Sequence, residues 1–291
     1  MDIRKVVIPV AGWGTRSVPA SKNIPKEMLP IYDKPVIQYI VEEAVKAGIR
    51  DVVFVASQNK KVVEDHFDYN PALEMVLREA GKTALLDKVL HAAELVNIMS
   101  VRQKKQLGLG HAVLCAREIV GHDDAFACTV GDDLMFGENV PAGIPQLVKV
   151  AQEHNMPCIG VMEVPADKVN RYGIAMGDEI EPGIIKVSGL VEKPAVGTVS
   201  SRLAIVGRYV LTSDIFSYLD KVKPGAGGEI QLTDALAMRA ADRGLLAVKM
   251  NGLRFDAGDW VDYLAANVYF GLRDEKIHDD LLKRIRSLVQ A

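Results

Sequence analysis

Arg16 and Lys26 lie in a segment that also carries Gly12, Gly14, Pro19, Pro25 and Pro30. Glycines just past an apolar run let the backbone approach a ligand and aim N–H groups at it. Two fixed cations beside those donors suit a polyphosphate. Asp132 and Asp133 follow Gly131 directly after the apolar run Ala125 to Val130. Paired carboxylates there are hard oxygen ligands for a divalent cation, and the competing reading is a helix cap. The stretch Phe255-Asp256-Ala257-Gly258-Asp259 returns an acid beside a glycine. Glu192 and Lys193 precede Pro194. On a strand, adjacent side chains point to opposite faces, but just past a strand both can reach one ligand. Their bland reading is a surface ion pair. Gln103 offers one donor and one acceptor, which suits a base edge; a lone Gln is otherwise a solvated loop residue.

Two common nucleotide motifs are excluded. The dinucleotide fingerprint needs a third glycine where Ser17 stands, and an acid after the second strand, where Ser57, Gln58 and Asn59 follow. The Gly81-Lys82-Thr83 tripeptide has Val76 in place of the first glycine of a phosphate loop, and helical sequence precedes it. The remaining bland reading of Gly12–Gly14 is a tight turn.

These residues need a frame, and hydrophobic periodicity supplies one. Val6 to Val10, Val52 to Ala56, Val96 to Val101, Ala125 to Val130, Cys158 to Val164 and Leu203 to Tyr209 are apolar runs of strand length. The three prolines after Gly14 keep that segment an ordered loop. Asp33-Lys34-Pro35 opens a helix that Gly48 stops, and further helices are expected over Lys60 to Phe67, Pro71 to Gly81, Thr83 to Val96, Gly108 to Arg117, Pro141 to His154 and from Gly225–Asp234 to Arg243. Ile184 to Val191 alternates like a hairpin strand after Pro182-Gly183. The strand–helix alternation predicts an α/β fold. Its sheet is mixed, mostly parallel and Rossmann-like, flanked by helices, with a smaller β-rich portion from about Pro157 to Tyr209. The ligand then lies at the carboxyl ends of the strands. We expect one continuous domain over 1–291, with a C-terminal helix over 274–290. That helix carries Ile277, Leu281, Leu282, Ile285, Leu288 and Val289 on one face, which packs on its own domain or serves an oligomer contact.

The 291 residues are 49% hydrophobic and 25% charged, with a net charge of −3. No basic field draws nucleic acid polymers or anionic membranes. The apolar runs are too short to span a bilayer, and Met1 to Val10 lacks a signal-peptide core. Cys115, Cys128 and Cys158 have no metal spacing and read as reduced buried thiols. A cytoplasmic location is expected.

The complete spacing G-x-G-T-R-x-x-P-x-S-K-x-x-P-K-E-M-L-P resembles the signature of the sugar-1-phosphate nucleotidylyltransferases. Its ending, Ile24 to Pro30, is similar to the bacterial branch that uses UTP and glucose 1-phosphate. Four further segments carry the resemblance: Val101-Arg102-Gln103 with Gly108 to Ala112, Gly131-Asp132-Asp133, Val191 to Pro194, and Phe255 to Asp259. The resemblance implies a nucleotidyltransferase fold and the reaction of UTP with glucose 1-phosphate to UDP-glucose and pyrophosphate. It implies catalytic roles for Arg16, Lys26 and Lys193, and nucleotide contacts from Ala11, Gly12, Gly14, Thr15, Gln103 and Gly108. Gly173, Glu192, Lys193 and Glu229 are implied to bind the sugar phosphate, so that residues 1–150 form mainly a nucleotide-binding part and 157–260 mainly a sugar-phosphate-binding part. Asp132 and Asp256 are implied to hold Mg²⁺, with Asp133 either a water-mediated partner or structural. A homo-oligomer, dimer or tetramer, is also expected. Thymidylyltransfer on the same sugar phosphate is one alternative, and a weakly catalytic nucleotide-sugar-binding paralogue another. Trp13 stands where relatives usually carry Leu. Asp259-Trp260-Val261-Asp262 departs from their usual acid-Lys tract, and Ser201-Arg202 from their usual Pro-x-Asn or Ser-Asn.

Overall fold

The computed structural model describes residues 1–225 and 228–290. In chain order the strands are β1 (Ile3–Pro9), β2 (Pro30–Ile31), β3 (Lys34–Pro35), β4 (Asp51–Ala56), β5 (Asn97–Arg102), β6 (Ala125–Thr129), β7 (Asp133–Phe136), β8 (Cys158–Glu163), β9 (Gly173–Glu181), β10 (Ile184–Glu192), β11 (Leu203–Thr212), β12 (Leu246–Lys249) and β13 (Leu253–Asp256). Nine form one sheet in the order β5-β4-β1-β6-β11-β8-β12-β10-β9. The neighbours β5–β4, β4–β1, β1–β6 and β8–β12 run parallel. The pairings β6–β11, β11–β8, β12–β10, β10–β9 and β11–β9 run antiparallel. The sheet is therefore mixed, but the expected parallel majority does not hold. Strand–helix alternation governs the chain only through β6. Beyond it, β11 inserts antiparallel between β6 and β8, and a hairpin through Gly183 joins β9 to β10.

Burial follows the strand sequences. All five residues of β6 and five of the six in β4 are buried, because helices cover both faces of the parallel half. One core lies on each side of the sheet. One contains Ile8, Ile37, Ile40 and Phe54, and the other Val7, Phe126, Ile159 and Leu236.

The expected helices form with shifted ends. Val36–Lys46 follows Pro35. Pro71–Glu79 is capped by Asn70, whose side chain accepts from Leu73 N at 3.1 Å. The stretch after Gly108 breaks into Leu109–Cys115 and Arg117–Val120. The helix expected from Pro141 begins at Ile144, where Glu43 Oε1 accepts the Ile144 N–H at 2.8 Å. Gly143 makes that cap possible. Its φ is +66°, and a Cβ there would lie 2.0 Å from Glu43 Oε1. The proline-rich segment forms no α-helix, as expected, but it is not irregular throughout. It folds into the 3₁₀ turns Thr15–Ser17, Ala20–Lys22 and Lys26–Met28. Cys128 and Cys158 are buried as expected, while Cys115 is only partly buried; all three are free thiols. The C-terminal helix spans His278–Val289 and buries none of its residues. No helix among the described residues is long and apolar enough to cross a membrane.

β1, β4, β5 and β6 all deliver their carboxyl ends to one edge of the sheet. From that edge rise the glycine loop, Ser57, Gln103 and Gly131–Asp132, in the placement expected for a ligand site. A separate two-stranded ribbon pairs β13 with β7 and sets Asp256 opposite Asp133. Two acid-bearing segments far apart in the chain thereby meet.

Candidate active site

The glycine loop is fixed from within. Gly14 takes a left-handed conformation, φ 66° and ψ 30°, and its carbonyl accepts from Ser21 Oγ at 2.7 Å. Ala11 is buried, and its carbonyl accepts from Ser57 Oγ at 3.1 Å. Thr15 opens the first 3₁₀ turn, and Trp13 at the loop tip is 76% exposed.

The cations of this loop are held by carboxylates. Lys26 Nζ donates to Asp132 Oδ2 at 2.5 Å. The Arg16 guanidinium reaches the same oxygen at 3.3 Å and Asp256 Oδ2 at 3.1 Å. It lies close against Gly258, where a Cβ would stand 2.4 Å from Arg16 Nη2. That contact explains the glycine two residues after Asp256. Burial draws the Lys26 ammonium down, but Asp132 and Glu27 together hold it above its ordinary value. Burial likewise pushes the Asp132 carboxyl up, and Lys26 and Arg16 reverse this and hold it below the usual carboxylate range. Both groups stay charged at neutral pH.

Asp133 and Arg254 also line the cleft described below, but Asp133 contacts neither Arg16 nor Lys26. It is buried and held by Arg254, whose Nε and Nη2 donate to Oδ2 at 3.1 and 2.8 Å. Burial pushes its carboxyl up to about 6 against the pull of Arg254. Of the two roles expected for Asp133, the contacts fit the structural one. Behind it, Arg208 is fully buried and pairs with Glu43 through Nε and Nη2, each at 2.8 Å. Its Nη2 also donates to the Asp133 carbonyl at 2.5 Å.

A cleft of about 470 Å³ opens beside this cluster. Arg16, Asp132 and Asp256 line one part of it, and Gly173, Glu192 and Lys193 another; Gly108 and Glu229 also reach it. Glu192 Oε2 accepts from Thr233 Oγ1 at 2.7 Å. Lys193 Nζ lies 3.6 Å from Glu192 Oε1 with its side chain 56% exposed. Lys193 sits at φ +45° directly before Pro194. A non-glycine residue pays for that backbone region in steric strain, and such outliers concentrate at ligand sites. Glu229 accepts from Gln231 Nε2 at 2.9 Å. Ala226 and Gly227 of the same expected segment lie outside the described residues.

Ala11, Gly12, Gly14, Thr15, Lys26 and Gln103 are not among the residues lining that cleft. Lys26 joins it through Asp132. Gln103 is buried, and its Nε2 donates to the Gly108 carbonyl at 3.2 Å and approaches His111 Nδ1 at 3.0 Å. Its amide nitrogen is thus occupied within the protein.

Sequence reasoning passed over Arg254, Thr233 and the Glu27–Lys60 pair. Arg254 had a signal, since it stands two residues before Asp256 on one strand and so shares its face. Glu27 is fully buried with Lys60 Nζ at 2.8 Å, directly beside Lys26.

Among the described residues no group of three or more His, Cys, Asp or Glu side chains is arranged to hold a metal. Two carboxylates converging on one guanidinium suit a different arrangement. Mg²⁺ is commonly bound by one or two carboxylates plus substrate phosphates, so the oxygen donors here fit that ion.

The profile of the nucleotidyl transferase family matches residues 5–271. A UTP–glucose-1-phosphate uridylyltransferase of Staphylococcus haemolyticus is 49% identical over 287 residues, covering 99% of each chain. The chain belongs to the nucleotidyl transferase family, among its bacterial UTP–glucose-1-phosphate uridylyltransferases. Solved structures agree with this. A UTP-bound UGPase from Acinetobacter baumannii superposes with a TM-score of 0.90 at 40% identity, over 99% of this chain and 100% of that one. A UDP-glucose pyrophosphorylase complexed with UDP-glucose gives 0.84 at 37% identity, over 92% and 98%. The family placement accounts for the mixed α/β sheet and for the glycine-loop spacing from which the resemblance began.

Proposed function

We propose that this enzyme joins UTP and α-D-glucose 1-phosphate to give UDP-glucose and pyrophosphate. The observation that carries the proposal is the meeting of Arg16 and Lys26 with Asp132 and Asp256 at one part of a cleft whose other part holds Glu192 and Lys193. The sugar phosphate is already a nucleophile, so no covalent enzyme intermediate and no strong base are needed. One of its oxygens attacks the α-phosphorus in line. The new P–O bond forms as the bond to the bridging α–β oxygen breaks, and pyrophosphate departs with that electron pair. The obstacle is charge, because two anions must approach and the leaving group gains more.

The chain's own groups answer that obstacle by position. Arg16 and Lys26 neutralise the triphosphate, and the glycine loop from Ala11 to Thr15 offers backbone donors. Lys193 holds the sugar phosphate. Glu192 takes sugar hydroxyls, oriented by Thr233, with Gly173 and Glu229 beside it. Gln103 and Gly108 read the uracil edge: the amide oxygen of Gln103 faces the base while its nitrogen is held by Gly108. Residues 1–150 mainly serve the nucleotide and 157–260 the sugar phosphate, within a single domain over 1–291. Asp132 and Asp256 would hold Mg²⁺, which supplies charge neutralisation at the reacting phosphates. Positioning and fixed electrostatics then supply the rate.

The test is direct. Purified protein with UTP, glucose 1-phosphate and Mg²⁺ is expected to release pyrophosphate. The same mixture with dTTP, CTP or ATP is expected to release far less. No pyrophosphate from UTP, or equal release from dTTP, overturns the proposal.

A further inference from the structure

Gln103 follows β5 directly, and its backbone N–H donates to the Ala56 carbonyl at 2.9 Å, which fixes its place beside β4. Its side chain then meets two acceptors from a separate segment. Nε2 lies 3.2 Å from the Gly108 carbonyl oxygen and 3.0 Å from His111 Nδ1. A primary amide nitrogen carries two hydrogens, and a carbonyl can only accept. The atom facing Gly108 is therefore the nitrogen. His111 Nδ1 takes the second hydrogen, so it is the unprotonated nitrogen of a neutral ring. Cys115 agrees with this tautomer. Its Sγ lies 3.9 Å from the same Nδ1, and burial pushes its thiol up, so it remains an S–H donor. Burial also holds His111 below its ordinary value, toward the neutral form.

Gly108 cannot turn its carbonyl away. Its φ is +92°, and a Cβ there would lie 2.9 Å from both Glu229 Cβ and the Ile230 carbonyl oxygen. Hydrogen bonds bracket it on either side. Ile230 N donates to the Leu107 carbonyl at 2.7 Å, and Gly110 N donates to the Ile230 carbonyl at 2.9 Å.

We propose that His111 is a positioning residue for base selection. Together with Gly108 it occupies both amide hydrogens of Gln103, so only Oε1, an acceptor, is left for the nucleotide. This rests on the reading that Gln103 faces the base. An acceptor suits the N3–H that uracil and thymine share. Cytosine carries a lone pair at N3, and two acceptors repel. Admitting it would require the amide to turn over, which sets Oε1 against the Gly108 carbonyl and the lone pair of His111 Nδ1. The device works against CTP and by itself is blind to the difference between UTP and dTTP.

The test titrates the full chain with UTP, dTTP and CTP in the presence of Mg²⁺ by calorimetry, which needs no turnover. His111→Leu removes the acceptor. It is expected to narrow the UTP-to-CTP affinity ratio by on the order of threefold, within the worth of one hydrogen bond, and to leave the UTP-to-dTTP ratio unchanged. His111→Asn sets an amide oxygen as many bonds from the backbone as Nδ1 and is expected to restore the ratio. A merely structural residue would move all three nucleotides together. Nitrogen-15 NMR of the unmodified protein is expected to show His111 Nδ1 unprotonated at neutral pH. A protonated Nδ1, an unchanged UTP-to-CTP ratio in His111→Leu, a parallel loss for all three nucleotides or failure of Asn to restore the ratio overturns the inference. Gln103→Ala separates it from the reading beneath. If that variant narrows the UTP-to-CTP ratio and His111→Leu does not, the inference alone fails. If neither narrows it, Gln103 is not at the base and both fail.

Discussion

Asp132 and Asp133 are neighbours in sequence and opposites in environment. Asp132 belongs to a cluster in which Lys26 is 19% and Arg16 55% exposed at the side chain. Asp133 belongs to a seam that runs from Arg254, at the cleft, inward to the fully buried Arg208 and its partner Glu43, where water scarcely reaches. The chemistry of the contacts is the same, carboxylate to cation. What differs is whether the partners can be exchanged. In the seam, each charge depends on its present partner, because an unpaired buried ion is very costly. In the cluster, water can replace either partner, and under the proposed function phosphate or a metal does so.

The largest expected effect comes from breaking the sealed side. Arg208→Met leaves Glu43 and the Asp133 carbonyl buried without their donor, and should lower stability by about 3–5 kcal/mol. Urea or thermal melts measure this, and an unaltered melt would make the seam as exchangeable as the cluster. Next comes Asp132→Asn, which should leave the melt nearly unchanged. Turnover should fall by about 10²–10³-fold, with a raised Mg²⁺ requirement, the scale seen when one fixed electrostatic contact is removed. Asp256→Asn should act in the same direction, and the two losses should not add if both acids serve one ion. Asp133→Asn, by contrast, should show itself in the melt and not in the Mg²⁺ titration.

Smaller effects divide the open side further. Lys193→Ala should raise KM for glucose 1-phosphate, and Lys26→Ala should weaken UTP, each by about 1.5–3 kcal/mol, the usual worth of a hydrogen bond to a charged group. Steady-state kinetics with each substrate varied would separate them; a Lys193→Ala enzyme impaired only toward UTP contradicts the assignment. Least is expected of Gln103→Ala. With its nitrogen already held by Gly108, one base contact remains, so the preference for UTP over CTP should narrow by about 1 kcal/mol.

Most of the open side was legible in the sequence, and little of the sealed side was. Gly12, Gly14, Arg16 and Asp132 lie just past apolar runs, where short-range patterning already states that a strand ends. The parallel half of the sheet was readable for the same reason. The direction of β11 was not, because LAIVGRYVLT is a buried strand in either orientation. Its register shift between Ile205 and Tyr209, which accompanies the inward placement of Arg208, depends on β8 alongside it. Asp256 was visible as an acid beside a glycine. Its position opposite Asp133 was not, since that depends on pairing β7 with β13 across a long separation. The backbone strain at Lys193 also has no sequence signal beyond the proline that follows it.

If Asp132 and Asp256 hold Mg²⁺ while Arg16 and Lys26 hold the triphosphate, as proposed, the Arg16 bridge between the two acids couples two binding events. Without ligands, the carboxylates and cations of the cluster serve as one another's counter-ions. A divalent cation arriving at the carboxylates would then release Arg16 and Lys26 for phosphate, and a nucleotide arriving at the cations would release the carboxylates for metal. Each ligand therefore removes part of the cost of admitting the other. By linkage, the factor by which Mg²⁺ tightens UTP equals the factor by which UTP tightens Mg²⁺. On that reading the bridge makes each ligand bind more tightly in the presence of the other than alone.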